Sequence, residues 1–360
     1  MAFPIEPPIA PMLGTLADDL PEGEGWWFEP KWDGFRVLAY RDGGELLLRS
    51  RDDRPLLRYF PELREPLLAA LPERAVADGE VVIALEGSLD FDALQMRLHP
   101  AKSRIDKLAA EIPAAVVLWD LLADPADLRE QPLSARRARL EAVLTPSARV
   151  QLSPGTTDRA VAADWFARFE GAGFDGVMAK RLEDPYLAGK RQLVKVKHVR
   201  TIDCAVAGFR WHKHGEGTEV GSLVLALFDD DGDMHPIGVC SSFRKAFRVK
   251  LTEELAPLRE GALDDHPWAR WHSEEGEGGA RRPDMKSRWN AGRSLAWEPL
   301  RLGCVVEVKT TQHSPRRLRH PAKFLRWRPD KAPQDCLLRQ LHVTPASELG
   351  DLFHEAAPGA

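Results

Sequence analysis

The pattern of predicted strands and helices changes near residue 200, and this change constrains the fold more than any other feature. Before it, strand-like and helix-like segments alternate, which is typical of a mixed α+β domain. After it, about five short strands accompany one helix, as in a small β-barrel such as the OB-fold. In this chain of 360 residues we therefore predict a first domain at 1–200, an OB-fold β-barrel domain at 201–346 and a flexible C-terminal tail at 347–360.

The individual elements follow from hydrophobic periodicity and from turn residues. Before residue 200 the predicted strands are Trp26–Lys31, Val37–Tyr40, Glu45–Arg49, Ala75–Leu85, Pro113–Leu122, Gly176–Lys180 and Leu193–Lys197. The helices predicted there are Pro61–Leu71, Asp90–Leu98, Ser134–Leu144 with Ser134 as its N-cap, and Thr157–Glu170. After residue 200 the predicted strands are Cys204–Phe209, Ser222–Phe228, His235–Cys240, Val305–Thr311 and Phe324–Arg328, with one helix inside Ser242–Leu258.

Composition excludes several classes of protein. Hydrophobic residues make up 44% and charged residues 29%, a balance that excludes collagen-like and largely disordered chains. No apolar run approaches the ~20 residues of a membrane span, and the proline-rich N-terminus lacks the basic segment of a secretory signal. Four cysteines lie far apart without a CxxC pair, which argues against a zinc site or a disulfide framework and favours a reducing cytoplasm: Cys204, Cys240, Cys304 and Cys336.

Charge is segregated along the chain. The 50 Lys and Arg residues against 55 Asp and Glu residues give a net charge of −5, whereas a chain that binds nucleic acid over its whole surface is usually basic. Residues 313–331 are the exception, because their only acid is Asp330. The basic residues there are Arg316, Arg317, Arg319, Lys323, Arg326, Arg328 and Lys331. Arginine suits phosphate contacts, so this segment predicts a nucleic-acid surface; a solvated basic face is the alternative.

Lys31 is the candidate nucleophile. It ends a strand rich in aromatic residues and precedes the turn at Gly34. Partly apolar surroundings disfavour the ammonium form, and a free amine is a nucleophile. A surface lysine at the end of an edge strand is the alternative interpretation.

Three carboxylates lie beside glycines or glycine turns, namely Asp33, Glu80 and Asp175. They are hard oxygen ligands of the kind that hold Mg²⁺ together with substrate phosphates, although each alone is also typical of a turn.

Lys195 and Lys197 project onto one face of a strand, because side chains alternate with period two. Like charges on one face repel, so the pair predicts a phosphate contact; a solvated edge strand is the alternative.

Taken in order, these segments resemble the motifs of the covalent nucleotidyltransferase superfamily, which contains ATP-dependent DNA ligases, RNA ligases and mRNA-capping enzymes. The matching segments are Lys31-Trp32-Asp33-Gly34, Ser50-Arg51, Asp78-Gly79-Glu80, Trp119-Asp120, Asp175 to Lys180, Lys195-Val196-Lys197, Arg319-His320-Pro321 and Arg328-Pro329-Asp330-Lys331. The surroundings, Pro8 to Leu13, Trp297-Glu298-Pro299 and Val305–Val308, look most like DNA ligases, especially small bacterial ones with only an adenylation domain and an OB domain. The resemblance covers Pro8 to Cys336.

The resemblance implies a three-step reaction with ATP as the AMP donor and Mg²⁺ or Mn²⁺ as the metal. Lys31 attacks the α-phosphate of ATP and becomes lysyl-AMP, with catalytic help from Lys195 and Lys197 at that phosphate. AMP then passes to the 5′-phosphate of a DNA nick, and the 3′-hydroxyl seals the strand. Charge on the phosphates is stabilised by metal and lysines at each transfer.

The same resemblance implies a role for each remaining matched residue. Trp119 stacks on the adenine, which Glu29 adjoins through its backbone, and Glu80 and Asp175 bind the metal, Glu80 also the ribose. The other expected ATP contacts are Arg36, Arg51, Lys180, Arg328, Asp330 and Lys331. The expected DNA contacts are Arg36, Arg51, Arg316, Arg317, Arg319 and Lys323.

Two positions depart from the family pattern: Asp175 stands where Glu is common, and Trp119 where Phe or Tyr is usual. The first weakens the metal assignment; the second preserves an aromatic face. Without a separate N-terminal DNA-binding domain, encirclement of the duplex is expected to use both domains and an ordered loop at 274–287.

The expected partner is nicked double-stranded DNA, with repair or end-joining proteins as further partners. The protein is expected to act as a monomer at the nucleoid in the cytoplasm, without membrane contact. Other interpretations stay open at this point: an RNA ligase, a capping guanylyltransferase, or a non-catalytic nucleic-acid-binding module.

Overall fold

The computed structural model describes residues 3–170, 172–269, 295–311, 313–314 and 316–342. The predicted loop at 274–287 and tail at 347–360 lie outside these residues. Two compact units are present: the first ends at His198 and the second spans Val199–His342.

The first unit contains two main sheets, five α-helices and one 3₁₀ helix among its described residues. One sheet has the strand order Leu13–Ala17, Arg191–Lys197, Gly176–Arg181, Trp26–Pro30. The other has the order Val150–Leu152, Ala115–Asp124, Arg74–Val82, Phe35–Asp42, Glu45–Ser50, with Ala126–Asp127 paired to Ala115–Asp124. A small ribbon joins Ala84–Leu85 and Ser88–Leu89. The α-helices are Arg64–Ala70, Phe91–Met96, Lys102–Glu111, Leu133–Val143 and Arg159–Arg168, and Pro61–Leu63 is a 3₁₀ helix.

Burial explains this arrangement. Strand residues such as Val37, Leu48 and Leu118 pack with Phe60 and Leu67 into one continuous core. Each contributes about 1.5–3 kcal/mol through removal of its side chain from water. The result is a rigid larger sheet whose strand ends can hold side chains in fixed positions.

The predicted α+β class and the positions of the predicted strands and helices in this unit are confirmed. The N-cap prediction is wrong: the helix begins at Leu133 after Pro132, with no side-chain cap. Several elements were not predicted, among them two short strands, Ser88–Leu89 and Ala126–Asp127. Leu13–Ala17 forms by parallel pairing with Arg191–Lys197, Val150–Leu152 by parallel pairing with Ala115–Asp124, and Lys102–Glu111 buries only Ile105.

The second unit is built on one antiparallel sheet. Its strand order is Met234–Cys240, Val220–Phe228, Arg200–Trp211, Val305–Thr310, Lys323–Trp327, and Glu298–Pro299 also pairs with Arg200–Trp211. Its helix is Lys245–Leu255, and its 3₁₀ helices are Ala256–Leu258, Pro333–Asp335 and Leu338–Leu341. A short ribbon pairs His313–Ser314 with Arg317–Leu318.

This unit is OB-fold-like, as predicted, but its sheet is not a closed barrel within the described residues. Its two end strands meet only through a single bridge between Cys240 and Ala322. One bridge replaces the ladder that full closure would need. Among the described helices of both units, none is long and apolar enough to cross a membrane.

Candidate active site

Strand pairing brings Lys31, Asp175 and Lys197 together. The N–H of Lys31 donates to the Gly176 carbonyl at 2.8 Å, and the Lys31 carbonyl accepts from the Asp175 N–H at 3.0 Å. Gly176 also stands opposite Lys197 in the neighbouring strand. Glycine is required there, since its φ is +136° and a Cβ would lie 2.0 Å from the Val196 carbonyl oxygen.

One carboxylate oxygen holds two lysines. Asp175 Oδ2 lies 2.6 Å from the Nζ of Lys31 and 2.6 Å from the Nζ of Lys197, and the Asp175 side chain is only 2% exposed. Lys195 has no carboxylate partner at ion-pair distance within the part of the chain described. Lys31 and Lys197 therefore share one buried anion.

This sharing corrects the prediction that Lys31 rests as a free amine. Burial acts to lower the pKa of Lys31, but the attraction of Asp175, Glu80 and Asp33 outweighs it and raises the pKa above the ordinary lysine value. Burial acts to raise the pKa of Asp175, but Lys31 and Lys197 keep it below its ordinary value. Lys31 therefore rests as an ammonium ion in an ion pair.

Lys195 and Lys197 are the lysines of this site whose pKa values are lowered. Burial, followed by repulsion from Lys197 and Lys31, lowers the pKa of Lys195. Burial and repulsion from Lys31 lower the pKa of Lys197, even though it touches Asp175. Because unneutralised positive charge accumulates here, the site favours a polyanion.

Glu80 and Arg36 are cross-strand neighbours in the larger sheet. Burial raises the pKa of Glu80 to about 7, against the opposing effect of Lys31 and Arg36, and the Gly34 N–H donates to its Oε1 at 3.2 Å. Arg36 donates twice to Asp78, each time at 2.5 Å. A buried carboxyl with a pKa near neutrality either donates to a hydroxyl or, once ionised, binds a cation.

The side chain of Glu29 is fully engaged by the protein. Its Oε1 accepts from Trp27 Nε1 at 2.8 Å, and its Oε2 lies 2.5 Å from Lys180 Nζ. Lys180 Nζ also lies 5.3 Å from the ring centroid of Trp119. Glu29 therefore offers a ligand only its backbone, which agrees with its predicted role but does not test it.

These residues surround a cavity of about 210 Å³ in the first unit. The predicted site residues among its lining are Glu29, Lys31, Arg36, Arg51, Glu80, Trp119, Lys180 and Lys195. Asp175 and Lys197 do not line it directly but reach it through the ion pair with Lys31. Arg51 lies at its exposed rim, with a side chain 64% exposed.

Sequence reasoning missed two residues that hold the site in position. Tyr186 donates to Asp78 at 2.7 Å and accepts from the Met12 N–H at 3.2 Å, and so fixes the carboxylate that holds Arg36. Arg137 lies with its guanidinium 5.1 Å from the Trp27 ring and 3.7 Å from Glu29. Neither belongs to a local motif; the one available signal for Arg137 was an arginine at an apolar position of its helix.

The remaining predicted ATP contacts lie in the second unit. Arg328 donates twice to Asp203 at 2.9 Å, and Lys331 Nζ lies 2.9 Å from the same carboxylate. Arg328 also pairs with Asp330 at 2.7 Å, and this hydrogen bond lowers the pKa of Asp330 to about 2. Gln340 fixes Asp203 by bonding both its N–H and its carbonyl. Asp203, which sequence reasoning missed, organises the whole group.

The predicted DNA contacts of this unit lie on and near its short ribbon. Arg316 and Lys323 are exposed, and Arg317 and Arg319 are half-buried. Arg326 pairs with Glu307 at 2.5 Å, so part of the local positive charge is neutralised. The exposed cations remain suited to phosphate contact.

A divalent metal fits the first unit. The buried carboxylate of Asp175 and the half-buried carboxylate of Glu80 both attract Lys31, and both are hard oxygen donors of the class that Mg²⁺ and Mn²⁺ prefer. Asp175 is shared by Lys31 and Lys197 and is not paired with one cation alone. Glu80 has a raised pKa, which a bound cation would lower. Which metal is used stays a prediction.

Comparisons with known proteins show which family this chain resembles. Residues 7–197 match the family model described as ATP dependent DNA ligase domain, and residues 216–331 match the ATP dependent DNA ligase C terminal region. The chain is 47% identical to DNA ligase C2 of Mycolicibacterium smegmatis, over 96% of this chain and 98% of that protein. It is 44% identical to DNA ligase C of Mycobacterium tuberculosis, over 98% of this chain and 99% of that protein.

A solved structure of a Lig E DNA ligase has a TM-score of 0.54 at 17% identity, covering 89% of this chain and 100% of that one. This likeness supports the fold alone. The resemblance predicted from the motifs is confirmed by the family matches and by the relatives. The chain belongs to the ATP-dependent DNA ligase family.

Proposed function

We propose that this protein seals nicks between a 5′-phosphate and a 3′-hydroxyl in double-stranded DNA, with ATP as the source of energy. The observation that carries the proposal is the placement of Lys31. It is the lysine of the family's nucleotidyl-transfer motif, it lines a cavity of about 210 Å³ together with Lys195, and it shares the buried carboxylate of Asp175 with Lys197.

In the first step, the Nζ of Lys31 attacks the α-phosphorus of ATP. The ammonium group of Lys31 first loses one proton to water. The N–P bond then forms as the bond from the α-phosphorus to the bridging oxygen of the β-phosphate breaks, the nitrogen loses a second proton and pyrophosphate leaves. Lys195 and Lys197 stabilise the negative charge that develops on the α-phosphate. When bound at Asp175 and Glu80, a divalent metal supplies Lewis-acid stabilisation of the phosphate charge.

In the next steps, AMP moves from the protein to DNA and then leaves. An oxygen of the 5′-phosphate attacks the phosphorus of lysyl-AMP, and the N–P bond breaks as Lys31 regains a proton. The 3′-hydroxyl then attacks the activated 5′-phosphate, loses its proton, and releases AMP as the phosphodiester forms. Arg36 and Arg51 are proposed to contact the phosphates of the nick.

The remaining assignments are also proposals. We propose the domain bounds 1–200, 201–346 and 347–360; the change of unit after His198 supports the first boundary. Arg316, Arg317, Arg319 and Lys323 are proposed as DNA contacts, on the basis of their charge and of the two exposed members. The monomeric state, the nucleoid location and the repair partners rest on the resemblance.

A direct assay tests this function. The purified protein, given ATP and Mg²⁺, should seal a nicked all-DNA duplex and should do so poorly with GTP. The same nick with RNA strands distinguishes an RNA ligase, and GTP-dependent labelling distinguishes a capping enzyme. Absence of covalent AMP labelling and of sealing would instead support the non-catalytic binding module.

Separate assays of the steps test Arg328 and Lys331. We expect the changes Arg328→Ala and Lys331→Ala to slow self-adenylation while sealing of a pre-adenylated nick stays closer to normal, because their proposed contact is with the pyrophosphate that leaves in the first step. Arg339→Ala, which removes an exposed arginine of the same unit, serves as the control variant. Equal loss in both assays would contradict a role confined to the first step.

A further inference from the structure

Two histidines and a glutamate converge in the loop that joins Arg200–Trp211 to Val220–Phe228. The Nδ1 atoms of His212 and His214 lie 3.1 Å apart. Glu219 Oε1 lies 3.1 Å from His212 Nδ1 and 3.3 Å from His214 Nδ1. The three donor atoms therefore form a nearly equilateral triangle.

This triangle has the size of one face of a tetrahedral metal site. When nitrogen and oxygen ligands lie about 2.0–2.1 Å from Zn²⁺, any two of them lie about 3.3 Å apart. The observed separations of 3.1–3.3 Å therefore leave room for an ion bonded to all three atoms. Two imidazoles and a carboxylate suit Zn²⁺, Co²⁺ or Ni²⁺ better than Mg²⁺.

The carboxylate gives a second, independent indication. The Glu219 side chain is only 6% exposed, and its Oε2 atom is buried without a hydrogen-bond partner among the described residues. A buried acceptor left unpaired is unfavourable, and a cation bound to the carboxylate would offset this cost. His214 is 58% exposed, so a fourth, solvent ligand can reach the ion.

We propose that His212, His214 and Glu219 bind one divalent transition-metal ion of the Zn²⁺ class, with a water molecule in the fourth position. This site is separate from the oxygen ligands of the first unit and uses no cysteine, so the cysteine spacing could not predict it. It ties the end of one strand to the beginning of the next and so stabilises the intervening loop.

Arg248 competes with the metal. Its NH1 lies 2.8 Å from His212 Nε2 and 3.5 Å from Glu219 Oε1. Arginine can only donate, so without metal His212 accepts at Nε2 and carries its proton on Nδ1. Metal binding needs the Nδ1 lone pair and moves that proton to Nε2, which breaks the contact with Arg248. Removal of Arg248 should therefore strengthen metal binding.

Titration of the full-length protein tests the site. Zn²⁺ and Co²⁺ are added to metal-free protein in saturating Mg²⁺, which occupies oxygen sites and competes poorly for imidazole. We expect one Zn²⁺ per chain, and visible bands of tetrahedral Co²⁺. His212→Gln, His214→Gln and Glu219→Gln should each weaken binding at least about 10-fold, whereas Arg248→Met should tighten it. His235→Gln is the matched control, because His235 faces only one carboxylate, Asp229 at 2.6 Å.

His214→Gln decides the question even if another variant fails to fold, because His214 is exposed and its loss leaves the core intact. Equal Zn²⁺ affinity of wild type and His214→Gln would overturn the proposal. So would a thiolate-to-Co²⁺ charge-transfer band, which would place the ion at a cysteine. Weaker Zn²⁺ binding by Arg248→Met than by the wild type would contradict the proposed competition between Arg248 and the metal ion.

Discussion

Lys31→Ala should reduce self-adenylation to background while the protein stays folded. No other lysine is expected to replace it, because the neighbouring Lys195 and Lys197 belong to a different strand whose position is fixed by pairing. The fold should survive, since Asp175 keeps Lys197 as an ion-pair partner at 2.6 Å. The measurement is transfer of labelled AMP from ATP to protein, with circular dichroism as the check on folding.

Two further variants sharpen this result. Lys31→Arg keeps the positive charge and should be equally inactive, because a guanidinium stays protonated. Lys107→Ala, which removes an exposed lysine 3.7 Å from Glu111, should label like wild type. Covalent AMP on Lys31→Ala protein would show that another group is the nucleophile.

Asp175→Asn should slow self-adenylation by about 10²–10³-fold, the range found when one group that stabilises transition-state charge is removed. The variant loses a proposed metal ligand and the partner of two lysines. It should also move the pH dependence. In the wild type the raised pKa of Lys31 means that the reactive amine fraction grows as pH rises towards that pKa. Without Asp175 the strongest attraction that raises the pKa of Lys31 is lost, so this pKa falls below the wild-type value and the rise should occur at lower pH.

Single-turnover labelling across pH measures both effects at once. The matched control is Asp127→Asn, which removes a carboxylate that pairs with Arg129 at 2.6 Å on the surface. It should leave both the rate and the pH profile unchanged. If Asp175→Asn lowers the rate but leaves the pH midpoint where it is in the wild type, Asp175 does not control the protonation of Lys31.

The sequence predicted the elements and the residue types of the site because both depend on local patterns. Hydrophobic periodicity located the strands, and the glycines beside Asp33, Glu80 and Asp175 indicated close approach. The protonation of Lys31 could not be predicted in this way. It depends on Asp175, which is distant in sequence and reaches Lys31 only through pairing of two strands.

The missed residues have the same cause. Tyr186 holds Asp78, which in turn holds Arg36, and the three residues lie in separate segments of the sequence. Asp203 binds Arg328 and Lys331, which are remote from it in sequence. The strand Leu13–Ala17 was also missed because its partner, Arg191–Lys197, is remote in sequence. In each case the signal is a three-dimensional contact between residues that form no motif.

The ion pair between Lys31 and Asp175 has a chemical consequence for the resting enzyme. An ammonium group has no lone pair, so acylating or carbamoylating compounds that enter the pocket do not react with Lys31 while this ion pair is intact. An exposed lysine without a carboxylate partner lacks this protection against modification. The ion pair with Asp175 therefore protects the amine of Lys31 from modification until the pair breaks and the ammonium group loses its proton.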